Sequence, residues 1–202
     1  MDEITYPLLA KVQDIFTRHK YGYAGEIGAG SNSTRSIEKL CREHNIKMFS
    51  VDIRRERLMS SNDVLTSYCM KGEDFLSSFS GPIFFCYLDN YDWVDDWEHP
   101  HEPALKGCTK KESERIHLEQ SKLLIKILTH PGYILFDDTG ITNMTYLVPE
   151  QIMKDSSITF YGKGALAIPY LIKEGMCIVG YSPNSSHGGP SHQHDQILLE
   201  LP

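Results

Sequence analysis

Gly25-Glu26-Ile27-Gly28-Ala29-Gly30-Ser31-Asn32-Ser33-Thr34 opens the stretch that decides the fold; a helical segment follows, and a second apolar run, Met48-Phe49-Ser50-Val51, stops at Asp52. The order is strand, glycine turn, helix, strand, acid. Gly28 and Gly30 suit a turn that is tight and whose backbone comes close to a ligand. The helix N-terminus behind the turn presents backbone N–H groups that lack partners within the helix. Asp52 stands 24 residues after Gly28, near the roughly 20-residue spacing at which an acid meets ribose hydroxyls in a βαβ nucleotide site. The third glycine of a dinucleotide fingerprint falls on Ser33, so G-x-G-x-x-G is not met.

Upstream, Leu8, Val12, Ile15, Phe16 and His19 fall on one face of a helix over 7–20, with Pro7 in its first turn. His19 reads as a helix-end partner rather than a ligand. Downstream of the glycine turn, Ser33 or Thr34 is expected to cap the helix, Ile37, Leu40, Cys41 and His44 to form its inner face, and Asn45 to end it in the left-handed region. A short charged helix is expected over 54–59, a strand over 64–70, and a short helix over 75–79. Ile83 to Leu88 is six apolar residues in a row, a strand buried on both faces, ending at Asp89. Thr109-Lys110-Lys111-Glu112 is a capping box that starts a long helix, with Pro131-Gly132 at its end. Tyr133 to Phe136 is another apolar strand, stopping at Asp137-Asp138. Residues 140–161 show no clear period. A helix over 165–173 and two strands, 176–181 and 196–201, follow; one loop joins these strands, which predicts an antiparallel pair.

Two segments are too long and polar for simple turns. Residues 91–107 carry Asp92, Trp93, Trp97, His99 and His101 and read as a lid or substrate wall; 182–195 carries His187, His192 and His194 and reads as a solvent loop.

The 202 residues, 41% hydrophobic and 23% charged, fit one soluble domain covering 1–202, with no internal repeat. A net charge of −7 and the lack of a Lys/Arg run argue against nucleic acid and for a small-molecule substrate. Five scattered cysteines, no signal peptide and no bilayer-length apolar run point to free thiols in the cytoplasm and to no membrane association.

Asp89 and Asp137-Asp138 end two neighbouring buried strands. On one sheet edge they would bring three carboxylates together, which repel unless a cation or a proton lies among them. An oxygen-only set selects Mg²⁺, Mn²⁺ or Ca²⁺ over zinc, and such an ion could lower the pKa of a substrate hydroxyl. The plain alternative is that each acid caps its own loop.

Glu26-x-Gly28-x-Gly30 resembles the first motif of class I S-adenosylmethionine-dependent methyltransferases. Asp89-Asn90-Tyr91-Asp92-Trp93, His117-x-x-Gln120 and Pro131-Gly132-Tyr133-Ile134-Leu135-Phe136-Asp137-Asp138-Thr139 look like the metal-dependent O-methyltransferase group, closest to its cephalosporin hydroxylase-like branch. Gly162-Lys163-Gly164-Ala165, then helix and two strands, matches that group's closing pattern. The resemblance implies a Rossmann-like α/β three-layer sandwich whose seven-stranded, mostly parallel sheet has the order 3-2-1-4-5-7-6, strand 7 antiparallel. It implies that Glu26, Gly28, Gly30 and Ser31 border the methionine part of S-adenosylmethionine. Asp52 would hold the ribose, and Glu73 or Asp74 the adenine amino group, although either acid could equally cap the helix there. Asp89 is expected at the cofactor, at the chemistry, and with Asp137 and Asp138 as a ligand of Mg²⁺ or another hard divalent ion. Catechol-type relatives carry a lysine base where this chain has Asp92, so Asp92, a lid histidine or metal-bound hydroxide would take that part. Small-molecule O-methylation is the expected activity. A non-catalytic nucleotide-binding module and an NAD-dependent oxidoreductase remain alternatives, and homo-oligomerisation is left open.

Overall fold

The computed structural model describes residues 6–19, 21–90, 108–142, 149–155, 157–183 and 195–202. Its elements are α1 (Tyr6–Arg18), β1 (Tyr23–Ile27), α2 (Ser31–His44), β2 (Lys47–Asp52), a 3₁₀ turn (Arg55–Arg57), β3 (Leu65–Cys69), α3 (Gly72–Ser78), β4 (Ile83–Leu88), α4 (Lys110–Leu124), β5 (Leu128–Phe136), β6 (Thr139–Ile141), α5 (Pro149–Ile152), β7 (Phe160–Gly162), α6 (Ala167–Lys173), β8 (Cys177–Ser182) and β9 (Gln196–Leu201). Seven strands form one sheet in the order β3-β2-β1-β4-β5-β9-β8. β1 to β5 are mutually parallel, and β9 runs antiparallel to both of its neighbours. With the β6/β7 hairpin set apart as its own small sheet, this is the expected order, and β9 is the expected antiparallel strand in the penultimate position.

Alternation along the strands fills two apolar layers. Ala24, Met48, Phe85 and Leu135 pack with Leu8, Val12, Ile15 and Phe16 of α1 and Ile37, Leu40 and Cys41 of α2. Ile27, Val51, Leu88 and Phe136 pack on the other side with α3, α4 and α6 through Phe75, Leu124 and Leu171. β4 is buried at all six positions because helices cover both of its faces. His19 closes α1: its Nε2 lies 3.2 Å from Pro131 O, and its ring stacks on Phe84 at 4.8 Å between centroids.

Three local readings change. α2 starts at Ser31, with Gly30 in the N-cap position and no side-chain cap, because the hydroxyls of Ser33 and Thr34 turn inward to Glu26. α4 has the expected capping box but ends at Leu124, so Leu128 and Pro131-Gly132 belong to β5. The short helix after β3 begins at Gly72, which puts Glu73 and Asp74 inside its first turn. The stretch without period contains β6, α5 and β7. No helix among the described residues is long and apolar enough to cross a membrane.

Candidate functional site

Consecutive rungs align the carboxyl ends of the central strands. Gly28 N–H donates to Val51 O at 2.8 Å, Asp89 N–H to Ile27 O at 2.9 Å, and Asp137 N–H to Leu88 O at 3.1 Å. The glycine turn, Asp52, Asp89 and Asp137 therefore share one edge. Gly28 has φ +95, and a Cβ there would sit 2.4 Å from the backbone of Asp89 and Asn90. Only glycine fits so close to the β4 end without strain.

Glu26 is fully buried, on the side of β1 that faces α2. Its carboxylate accepts hydrogen bonds from Ser33 and Thr34 of α2 and, at 2.9 Å, from Ser50 of β2. It thereby fastens the first turn of α2 to two strands. Asp52 accepts from Ala29 N–H at 3.1 Å and from Arg54 N–H at 2.7 Å, closing the glycine turn onto the end of β2. Gly30 and Ser31 are the N-cap and the first residue of α2.

On the α3/α4 side, Gln120 Nε2 donates to Glu73 Oε2 at 3.2 Å, while Asp74 is exposed. Gly72 lies against Ile27, Gln120 and Asn90, so these polar groups border the β1–β4 edge. Asn90 Oδ1, Ser113 Oγ and Gln120 Oε1 are buried and meet no hydrogen-bond partner among the described residues. Ser113, His117 and Gln120 stand four and three residues apart, on one face of α4, and all three are fully buried. An unpartnered buried polar atom is costly, and a cluster of them at the ligand-binding edge of an open α/β sheet is where a polar ligand would supply the missing bonds.

The acids behave as one unit. Asp89, Asp137 and Asp138 each bring a carboxylate oxygen within 4.8 Å of the others. Between them lies a residue whose part is not legible in the sequence. Lys163 is fully buried, and its Nζ donates to Asp89 Oδ1 at 2.6 Å and to Asp138 Oδ2 at 2.8 Å. The hairpin delivers it. β7 pairs with β6, Gly162 at φ +79 brings its Cα against Asp138 O, and Lys163 N–H donates to that same carbonyl at 3.1 Å. Gly164 N–H donates to Thr139 Oγ1 at 2.8 Å. Gln196 donates to Asp137 Oδ1 at 2.8 Å. Burial raises the Asp137 carboxyl above its ordinary value and neighbouring Asp138 adds to this, while Lys163, Gln196 and Tyr87 pull the other way. The glycines flanking Lys163 were the available signal, since both pack against the Asp138–Thr139 corner. Next to it, Asp195 accepts from the hydroxyls of Tyr161 and Tyr181 at 2.8 and 3.1 Å.

A protein of Streptococcus mutans assigned as a methyltransferase, in complex with SAH, matches with TM-score 0.56 at 13% identity, covering 98% of each chain. The O-methyltransferase TomG of Streptomyces achromogenes, in complex with SAM, gives TM-score 0.55 at 10% identity over 98% of this chain and 80% of its own. The fold is that of the S-adenosylmethionine-dependent methyltransferases. TrmN of Thermus thermophilus shares it, with TM-score 0.56 at 10% identity over 96% of this chain and 48% of its own. No family model matches the sequence. No curated protein matches it either.

Within this methyltransferase fold, Glu26, Gly28, Gly30, Ser31, Asp52, Glu73 and Asp89 all come to the strand ends or the turns that follow them, and Glu26 alone of these points beneath α2. Asp92, Trp93, Trp97, His99, His101, His187, His192 and His194 lie outside the described residues.

Three convergent acids suit a hard divalent ion by ligand type. The lysine does not. Its ammonium lies among the acids and already donates to one carboxylate oxygen of Asp89 and one of Asp138. The residues present therefore do not fit a divalent ion in that position.

Proposed function

We propose that the chain is an S-adenosylmethionine-dependent methyltransferase acting on a hydroxyl of a small molecule. The observation that carries this reading is the pair of buried oxygens Asn90 Oδ1 and Gln120 Oε1, without a hydrogen-bond partner among the described residues, beside Glu73 and the glycine turn, in a chain with this fold. They stand at the edge where a heteroaromatic base with exocyclic N–H groups would satisfy them. Glu73 is better placed than Asp74 for such a base, since it is half-buried and already paired with Gln120. Gly28, Gly30 and Ser31 offer the close backbone approach and the free N–H groups of the α2 N-terminus. Asp52, 5% exposed at the end of β2, would take the ribose hydroxyls. Glu26 would act from behind, holding the turn in place.

The cofactor would supply an electrophilic methyl group on a sulfonium sulfur. The chain's part is to bind and orient the acceptor and to receive its hydroxyl proton as the new carbon–oxygen bond forms. Asp89 and Asp138 are half-buried where Asp137 is buried, so they are the acids of this cluster that a hydroxyl can approach. Asp92, three residues beyond Asp89, is the further acid proposed for that step. The net charge of −7 favours a small acceptor over a polyanion.

Calorimetric titration with S-adenosylhomocysteine tests this, with NAD as the control ligand. Binding of the first and not the second is expected. Asp52→Ala should weaken it by about 1.5–3 kcal/mol, the scale of hydrogen bonds to a charged group. Absence of S-adenosylhomocysteine binding to the folded protein would overturn the reading. Screening hydroxylated metabolites with a labelled methyl donor then identifies the acceptor.

A further inference from the structure

Lysine is almost never fully buried unless it is paired, because desolvating an ammonium is costly. Lys163 is fully buried and ranks among the largest wholly enclosed side chains of the protein. It reaches two of three clustered carboxylates, from a segment 25 residues beyond Asp138 and 74 beyond Asp89. That segment is built to put it there. Gly162 leaves no room for a Cβ, which would lie 1.9 Å from Asp138 O, and a Cβ on Gly164 would lie 2.6 Å from Thr139 Cγ2. The backbone on either side of the lysine is thus strapped across the Asp137-Asp138-Thr139 corner.

We infer that Lys163 is a tethered cation that takes the place of a divalent ion among Asp89, Asp137 and Asp138, so that this acid cluster is complete without metal. Three carboxylates at this spacing demand positive charge or protons. An ion such as Mg²⁺ would sit about 2.0–2.1 Å from each oxygen, inside the space the ammonium uses at 2.6 and 2.8 Å. The two cations cannot both bind those oxygens. On the methyltransferase reading, Lys163 is a positioning residue: it fixes the rotamers of Asp89 and Asp138 at the edge where the acceptor would bind, and it does so without exchanging with solvent. The inference about the cation rests on the geometry alone; only this positioning role rests on the methyltransferase reading.

Mn²⁺ binding followed by electron paramagnetic resonance separates the cases, because it uses neither methyl donor nor acceptor. The wild-type chain should hold no Mn²⁺ that Asp138→Asn removes. Lys163→Ala opens the position and should gain one bound Mn²⁺ per chain, which Lys163→Ala combined with Asp138→Asn loses. Lys163→Arg keeps a fixed charge and should again exclude the ion. If Lys163→Ala does not fold by itself, millimolar Mn²⁺ should restore its native circular dichroism by linkage. Two results would overturn the inference. One is a wild-type Mn²⁺ site abolished by Asp138→Asn; the other is a Lys163→Ala chain that gains no ion when folded and is not rescued by it when unfolded. Once an acceptor is known, wild-type turnover should be unchanged by a chelator, and turnover that a chelator abolishes and Mg²⁺ restores would overturn the inference as well. Failure of S-adenosylhomocysteine to bind would leave the cation assignment standing, and a metal in the wild-type cluster would leave the cofactor assignment standing.

Discussion

Two buried carboxylate centres lie on either side of the β1–β4 junction, and they are stabilised in different ways. Under α2, Glu26 is a single acid surrounded by three hydroxyls, from Ser33, Thr34 and Ser50. Past the ends of β4 and β5, three aspartates cluster about one ammonium, from Lys163, which donates to Asp89 and Asp138. The first centre spreads one charge over several neutral dipoles. The second balances several charges against one, and its remaining acid, Asp137, accepts from Gln196 and has its carboxyl raised by burial. Dipoles are supplied piecemeal, so losing one leaves others. Among the described residues Lys163 is the one ammonium paired with the cluster, so the second centre should fail abruptly where the first fails gradually.

The largest effect should follow removal of that cation. Lys163→Met preserves most of the side-chain volume and deletes the charge. Breaking a buried pair by removing one partner costs about 3–5 kcal/mol, because the other partner is left uncompensated. Urea denaturation near pH 8 measures this, and the loss should shrink as the pH falls and the aspartates take up protons. A loss below about 1 kcal/mol at pH 8, the scale of an exposed pair, would erase the contrast between the two centres.

Ser50→Ala probes the other side. It removes one of the hydrogen bonds to Glu26, a change on the scale of about 1.5–3 kcal/mol for a charged acceptor. The expected loss lies at the lower end because Ser33 and Thr34 remain. A loss as large as that of Lys163→Met would show that the hydroxyls act as one unit.

The same contrast explains what the sequence revealed and what it hid. The glycine turn, Asp52 at the end of β2, the capping box at Thr109, the left-handed Asn45 and the apolar run of β4 are all set by near neighbours, and all are present. Ser33 or Thr34 is the expected cap because capping is the local habit of both; Glu26, seven and eight residues away, claims their hydroxyls instead. The sequence carries α4 too far because Leu128, four residues after Leu124, keeps the helical spacing of an apolar stripe although it is buried as the first residue of β5. The convergence of Asp89, Asp137 and Asp138 was legible from strand order. The lysine among them was not, since it comes from a hairpin whose short strands are too irregular to show a period.

Asp137→Asn sharpens the picture through pH. The folded protein holds the Asp137 carboxyl above its ordinary value, so the native state binds a proton that the unfolded chain has already lost. Stability from this group is therefore present below the unfolded value and is lost as the pH rises through the raised folded value. Across that window the slope is at most about 1.4 kcal/mol per pH unit for one proton. Asparagine does not titrate, so the stability difference between variant and wild type should move in favour of the variant as the pH rises. Chemical denaturation in steps from acid to neutral pH reads that difference directly; a difference that stays flat would mean that Lys163, Gln196 and Tyr87 fully offset the burial.

The smallest effect on stability should come from the polar cluster of α4, and that is what makes it informative. Gln120 is fully buried, donates to Glu73 at 3.2 Å, and leaves Oε1 without a partner among the described residues. Gln120→Met has nearly the same volume and removes both the bond and the unmet acceptor. The first loss costs about 1.5–3 kcal/mol for a charged acceptor and relief of the unmet oxygen returns about 1–3 kcal/mol, so the net should stay within about 1 kcal/mol of zero. A group kept only for the fold would not be left with half its hydrogen-bonding capacity idle. If Gln120 serves a ligand instead, the same substitution should weaken S-adenosylhomocysteine binding by about tenfold, the loss of one good hydrogen bond, while leaving the unfolding midpoint almost unmoved. Denaturation and calorimetry on this one variant separate the two roles. A large loss of stability with unchanged affinity would make Gln120 a brace like Glu26, and would move the ligand away from the α3/α4 edge.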